Sequence, residues 1–445
     1  MSYVWGMERT DLVLLVTLYE RMAPGELFRL LQRSMGRMTR NGIYTARAVI
    51  WMMTWQRLSA GGTLASAVEQ LALGRFDPVL SRCKRVQQRR IALSTGGYCQ
   101  ARQNLPKMLM ERSVEEIVQR LRNHLHEQLG LARQAVYLLD GSTLKLSSSD
   151  ELKSTYPPAA NKRRPSHWPV LRIVVLHDVD TGMAERPCWG PQTVSEQELA
   201  EQALEAVPPE AVVLGDRNFG VYRIARGTVQ RGQKPILRLT QQRAKKLVGA
   251  LNQQGGHAVE WTPSKLEQSK YGFLPGDTVR GYLIVWRVGR GKSKQWLYLF
   301  TTLTLAPTEI VALYGKRWHI ETDLRSLKQT VRLNRIGGQS VDMLEKELLA
   351  AVLAYNLVRA VMCLAARRAG VSSRQLSFTY AYNLVEQGMG DVLAAPTMKE
   401  QIERMERLVA LVAQCRLPRR TKRRSFPRMV WPHSSPFPTR QEKTK

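Results

Sequence analysis

The sequence predicts a mixed α/β core with helical regions before and after it in the chain, and three observations carry that prediction. Between about 135 and 240, apolar β-prone runs and amphipathic stretches follow one another as three strands, helix, strand, helix, strand. That is the order of a mixed sheet, in which ligand-binding groups gather at strand ends. From 241 to 304 the chain turns β-like again in HAVEWTP, DTVRGYLIVWRVGR and KQWLYLFTTLTL, which alternate or run apolar between turn signals. Residues 1–130 and the chain beyond about 305 read as helix.

Each element has its own local justification. ARAVIWMMTWQRL (46–58) is followed by the break SAGG and by TLASAVEQLAL (63–73), with Thr63 placed to cap the second helix. The basic RCKRVQQRR (82–90) leads into LSTGGYCQARQNLP (93–106). This Gly-Gly turn and short helix resemble the second half of a helix-turn-helix, and they suit equally a helical bundle with a cationic face. QAVYLLDGSTLKL (134–146) is a strand carrying Asp140, and WPVLRIVVLHDVDTGMAERPCWG (168–190) is two strands joined at DVDTG. TVSEQELAEQALEA (193–206) is an N-capped helix, and AVVLG (211–215) is a buried strand ending at Asp216. A helix in FGVYRIARGTVQ and the strand PILRLT (235–240) follow. Asp216 to Glu321 is a gap of 105 residues, more than one crossover needs, so 241–304 reads as an insertion. One helix is expected over 314–331, an apolar one over 345–367, and more to about 413. Residues 416–445 read as a flexible basic arm.

Composition narrows the partners. Sixty-seven Lys plus Arg against thirty-seven Asp plus Glu leave a formal charge of +30, which points to a polyanion. Five cysteines without a C-x-x-C pair, and seven histidines without ligand spacing, argue against zinc and for a reducing, cytoplasmic compartment. LVLLVTL (12–18) is too short to cross a bilayer, and the apolar run 348–366 carries Asn356 and Arg359 near its middle. The latter suits a buried helix, and no membrane partner is expected.

YGKRWHIETDLRSLK (314–328) spaces Tyr314, Arg317, Glu321 and Lys328 at gaps of three, four and seven. At roughly 100° per residue these fall within an arc of about 60°, beside an apolar arc formed by Leu313, Ile320, Leu324, Leu327 and Val331. A carboxylate between two cations at the margin of a core suits a phosphate and a metal together. A solvated helix with an ordinary Glu321–Arg325 pair is the plain alternative. Asp140, Asp216 and Glu321 fit a site in which three carboxylates hold two Mg²⁺ ions, since such carboxylates repel without cations between them. The aspartates also have local readings: Asp140–Gly141 as a hairpin turn, and Asp216 as the cap of a helix beginning near Phe219.

Together the order DGST, LGDRNFG and Y-x2-R-x3-E-x6-K resembles the bacterial DDE transposases of the insertion-sequence-four family, over roughly 135–370 and including YNLVRA beyond the motif. The resemblance implies an RNase-H-like core with Asp140, Asp216 and Glu321 as the metal-binding triad. It implies that Tyr314, Arg317 and Lys328 contact phosphates near the cleaved end. Trp296, with Trp286 in reserve, would stack a flipped base, although a tryptophan in a β block also serves as core filler; Trp318 could line the site. The implied cofactor is Mg²⁺ as two ions, with Mn²⁺ as substitute. The implied partners are the transposon's terminal inverted repeats and target DNA, bound by a homodimer, in a bacterial cytoplasm at the nucleoid. The expected organisation is 1–130 helical and end-binding, 131–240 first part of the core, 241–304 the β-rich insertion, 305–370 second part of the core, 371–415 C-terminal helices and 416–445 the basic tail. Two rivals are a non-catalytic DNA- or RNA-binding protein and a purely hydrolytic nuclease of the same core fold.

Overall fold

The computed structural model of the chain describes residues 23–34, 42–59, 61–130, 134–158, 168–249, 253–289, 295–333 and 336–418. The apolar stretch 12–18 and the basic tail after residue 418 lie outside the described residues. The chain divides into two units. One comprises Ala132–Lys145 and Val170–Leu324, the other Met1–Leu131, Leu146–Pro169 and Arg325–Lys445.

The first unit is built on an eight-stranded sheet in the order β3-β2-β1-β4-β5-β8-β7-β6. Its strands are β1 (Val136–Lys145), β2 (Val170–Asp178), β3 (Cys188–Pro191), β4 (Val212–Gly215), β5 (Lys234–Arg238), β6 (Gly255–Trp261), β7 (Val279–Val288) and β8 (Gln295–Thr301). Strands β1, β4 and β5 are mutually parallel, while β2 and β3 run antiparallel as a meander. This is the mixed, RNase-H-like α/β arrangement. The DVDTG turn joins β2 toward β3 because the Asp178 carboxylate accepts from the Asp180 and Thr181 amides at 2.9 and 2.7 Å.

Between them the strands carry six helices: α1 (Glu196–Leu204), α2 (Tyr222–Gln230), α3 (Gln241–Val248), α4 (Lys265–Tyr271), α5 (Pro307–Gly315) and α6 (His319–Arg325). Tyr137 and Leu139 of β1, Val174 and Leu176 of β2, Val213 of β4 and Leu237 of β5 form one core with Leu199 and Ala203 of α1 and Ile224 and Ala225 of α2. Residues two apart on a strand share a face, which is why the apolar runs supply this surface. The same core continues through Trp261, Leu283 and Phe300 of the later strands. The later strands therefore extend the same sheet, with β8 pairing antiparallel to β5 from Ile236↔Thr301 to Arg238↔Leu299. Gly281 of β7 lets the end of β8 come close to β7, since a Cβ there would lie 2.5 Å from the Thr301 carbonyl oxygen.

In the second unit the described residues are mainly helical. Thr45 and Thr63 cap the helices Ala46–Leu58 and Leu64–Ala72 through their hydroxyls. The long apolar helix is Val341–Arg368, and its most apolar window is entirely buried. Two of its buried charged residues are partnered: Glu347 takes Arg57 and Arg102 at 2.5 and 2.7 Å, and Lys346 donates to Asp342 and to the Arg102 and Gln103 carbonyls.

The stretch 314–331 is not a single helix: α5 ends at Gly315, a 3₁₀ turn covers Lys316–Trp318, α6 follows, and Ser326–Thr330 is π-helical. The winding changes three times, so a stripe drawn at a constant 100° per residue does not run through it. Burial nevertheless follows the apolar spacing, with Ile320, Leu324, Leu327 and Val331 all buried.

Candidate active site

The site starts from a register. In β1 the apolar residues Val136 to Leu139 are buried, and burial falls off at Asp140. The cause lies in the neighbouring strand: β4 pairs with β1 in parallel only as far as Leu139↔Gly215 and then stops. Asp140, expected at a strand end, is instead the fifth residue of a ten-residue strand. What ends there is the parallel pairing, at the carboxyl side of β4, where open α/β sheets bind ligands. No hairpin turn forms, because β1 continues through Gly141 against Val174 of β2.

The register sets Asp216, the residue after Gly215, next to Asp140. Asp216 caps no helix; α2 begins at Tyr222 without a side-chain cap. Its carboxylate accepts from the Asn218 amide at 2.8 Å, and its carbonyl accepts from Phe219 and Gly220. The glycines of LGDRNFG have steric reasons. A Cβ on Gly215 would lie 2.8 Å from the Leu237 side chain, and one on Gly220 would lie 2.0 Å from the Arg238 carbonyl oxygen. Only a bare backbone can fold this turn so close to β5.

Electrostatics join the rest. Burial pushes the Asp140 carboxyl up to about 6, the nearby Asp216 and Glu196 carboxylates push the same way, and the Gly141 amide and the Arg317 guanidinium oppose them. Tyr314 is buried, and its phenol is raised by that burial, with Arg317 and Arg238 opposing. Arg238, the last residue of β5, is lowered by burial and by the neighbouring Arg217 and Arg317 guanidiniums. Tyr314 Oη thus lies buried between the Arg317 and Arg238 guanidiniums, a donor set that suits an anion.

The structure thus brings Asp140, Asp216, Tyr314 and Arg317 into one neighbourhood. Glu321 is exposed on α6 and meets Arg317 at 3.9 Å. Among the described residues no three acidic, His or Cys groups stand close enough to hold a metal ion. Trp296 lies on β8 with the Arg287 guanidinium 5.7 Å from its ring centre. Trp286 pairs with Leu297 and Arg287 with Trp296, so the two tryptophans project from opposite faces of the hairpin. Trp318 is exposed beside Arg317. Lys328 belongs to the second unit, in the π-helical turn, where burial lowers its ammonium.

A family model described as the transposase DDE domain matches residues 132–357, which is half of the chain. The chain belongs to the DDE transposase family. Its curated relative, the transposase InsG for insertion sequence element IS4 of Escherichia coli strain K12, is 26% identical over 361 residues and is covered to 78% in each chain. With the Y-x2-R-x3-E-x6-K signature, that likeness assigns this transposase to the insertion-sequence-four family of enzymes that cut and join DNA. A solved piggyBac transposase synaptic complex with hairpin DNA matches 89% of this chain and 85% of its own, at 11% identity and a TM-score of 0.41.

For this transposase the hard oxygen donors Asp140 and Asp216 fit the divalent cation typical of its family. Their mutual repulsion, already raising Asp140, is what a cation would relieve. Sequence reasoning missed Glu196, Asn218, Arg217 and Arg238. The only local signals were the end of the apolar run PILRLT at Arg238 and the Ser195–Glu198 capping box, which sets Glu196 in the first turn of α1.

Proposed function

We propose that this insertion-sequence transposase cuts its element's terminal inverted repeats and joins the freed 3′-hydroxyls to target DNA through hairpin-ended intermediates. The observation that carries the reading is the Leu139↔Gly215 register, which brings Asp140 near Asp216, with the Arg317 charge acting on Asp140. Asp140, Asp216 and Glu321 would hold the divalent cations, Mg²⁺ as two ions with Mn²⁺ as substitute. Bound there, such a cation supplies Lewis-acid stabilisation of the oxygens entering and leaving phosphorus.

The chain's own residues do the positioning. Arg317 spreads several donors over a phosphate, and Tyr314 Oη donates one more from a buried site without needing to be desolvated again. Lys328 adds a point charge, and Trp296 offers a stacking face, with Arg287 already against it. Water first cuts one strand at each end. The exposed 3′-oxygen then bonds to phosphorus on the opposite strand, and the flanking 3′-oxygen leaves, closing the hairpin. Hydrolysis reopens it before the 3′-hydroxyls attack target DNA. The helical segment 1–130 would bind the repeats. In its favour is a cavity of about 590 Å³ lined by Lys84, Arg85, Arg90 and Tyr44 at the start of the helix Gly96–Asn104. One site per end implies a homodimer on DNA, working in the bacterial cytoplasm at the nucleoid.

The test incubates a plasmid carrying the element and its flanks with purified wild type or Glu321→Ala and Mg²⁺, and resolves the products on a denaturing gel. Wild type should release a fragment whose strands stay joined, while Glu321→Ala binds DNA and cuts nothing. Cut but unjoined strands would remove the hairpin step, and equal cutting by both proteins would remove Glu321 from the site.

A further inference from the structure

Glu196 is the first residue of α1, after the Ser195 cap, and its side chain runs back toward β1. A Cβ on Gly141 would sit 2.6 Å from Glu196 Cδ and 2.9 Å from each carboxylate oxygen. The carboxylate thus occupies the space where any other residue following Asp140 would carry its side chain. Asn218 tethers it there: its side-chain amide donates to Glu196 Oε2, while its backbone amide donates to the Asp216 carboxylate. The Glu196 carboxylate is therefore fixed beside the Asp140 strand and the Asp216 turn, with a hydrogen bond from Asn218 keeping it in place.

We infer that Glu196 is a fourth carboxylate of the cleavage centre, holding a water in the shell of the cation that Asp140 and Asp216 bind. The inference rests on the centre proposed above. A water-mediated role fits the geometry, because Asp140 and Gly141 are successive strand residues and face opposite sides of β1. Mg²⁺ keeps several waters that need such acceptors. It also explains the glycine in DGST, which leaves room for the carboxylate.

Glu196→Gln separates charge from shape, since Gln Oε1 still accepts from Asn218. Mn²⁺ binding to the full-length protein, followed by electron paramagnetic resonance, should weaken about 10-fold or more, the usual loss for a group supporting a metal shell. The Mg²⁺ concentration for half-maximal cleavage should rise in parallel, with affinity for terminal-repeat DNA unchanged. Glu196→Asp, which keeps the charge but retracts it, should move both readouts the same way and covers the case of a poorly folded Gln variant. If Glu196→Gln binds Mn²⁺ and responds to Mg²⁺ as wild type does, Glu196 is only a strut for the Asp216 turn and the inference is wrong. If instead wild type binds no Mn²⁺, or Glu321→Ala cuts normally, the underlying reading of the centre fails.

Discussion

Replacing Asp140 with Asn should stabilise the cation-free protein. The Asp140 carboxyl titrates at about 6 in the fold, against 3.8 for a free side chain. A folded value above the unfolded one means that the unfolded chain gives up its proton first. Stability is therefore unaffected below about pH 4, falls as pH rises from about 4 to 6, and stays reduced above that. Keeping this carboxylate charged in the fold costs at most about 3 kcal/mol. Asn is the right replacement because its Oδ1 can still accept from the Gly141 amide, a bond of 2.8 Å in the wild type. At 2–4 °C per kcal/mol for a unit of this size, the variant should melt above wild type at pH 7.5, by at most roughly 6–12 °C. At pH 4 the two should coincide. Differential scanning calorimetry in EDTA across pH 4–8 measures this directly. Adding Mg²⁺ or Mn²⁺ should raise the wild-type transition and leave the variant's almost still, reversing the order. A variant that melts below wild type at pH 7.5 in EDTA would show that Asp140 is not held against repulsion and burial, and would refute the electrostatic picture of the site.

Other consequences are equally checkable. Tyr314→Phe removes a buried hydroxyl that stands beside the Arg317 and Arg238 guanidiniums; the free protein should change by no more than about 1 kcal/mol, while end cleavage in the plasmid assay should fall on the order of 10-fold. Gly220→Ala puts a Cβ against the Arg238 carbonyl oxygen, so the Asp216 turn or β5 must shift at about 1–3 kcal/mol. Cleavage should drop sharply while gel-shift affinity for the repeats is kept. Glu347→Ala leaves Arg57 and Arg102 buried with no carboxylate between them, and chemical denaturation should record a loss of about 3–5 kcal/mol in the helical unit.

Much of this was legible one stretch at a time. Thr45 and Thr63 announce helix starts because a hydroxyl before an apolar run satisfies the first orphan amides. The run Val136 to Leu139 announces a strand flanked on both sides, since only such a strand hides four consecutive apolar residues. The signature Tyr314, Arg317, Glu321 and Lys328 was readable by spacing, whereas its winding was not: the 3₁₀ and π-helical turns around α6 depend on what the segment packs against, and periodicity records only which residues are buried.

The sequence by itself determined most of the elements, a net charge suited to a polyanion and the spacing of the candidate residues, because caps, apolar periods and charge act over a few neighbouring residues. Only the tertiary structure decided that β4 stops at the residue paired with Leu139, that the later strands continue the same sheet, and that Glu196 lies over Gly141. Those are pairings between residues 55 or more apart in the chain. Their free energy comes from surfaces that exist only once both partners are folded, so no local pattern can encode them.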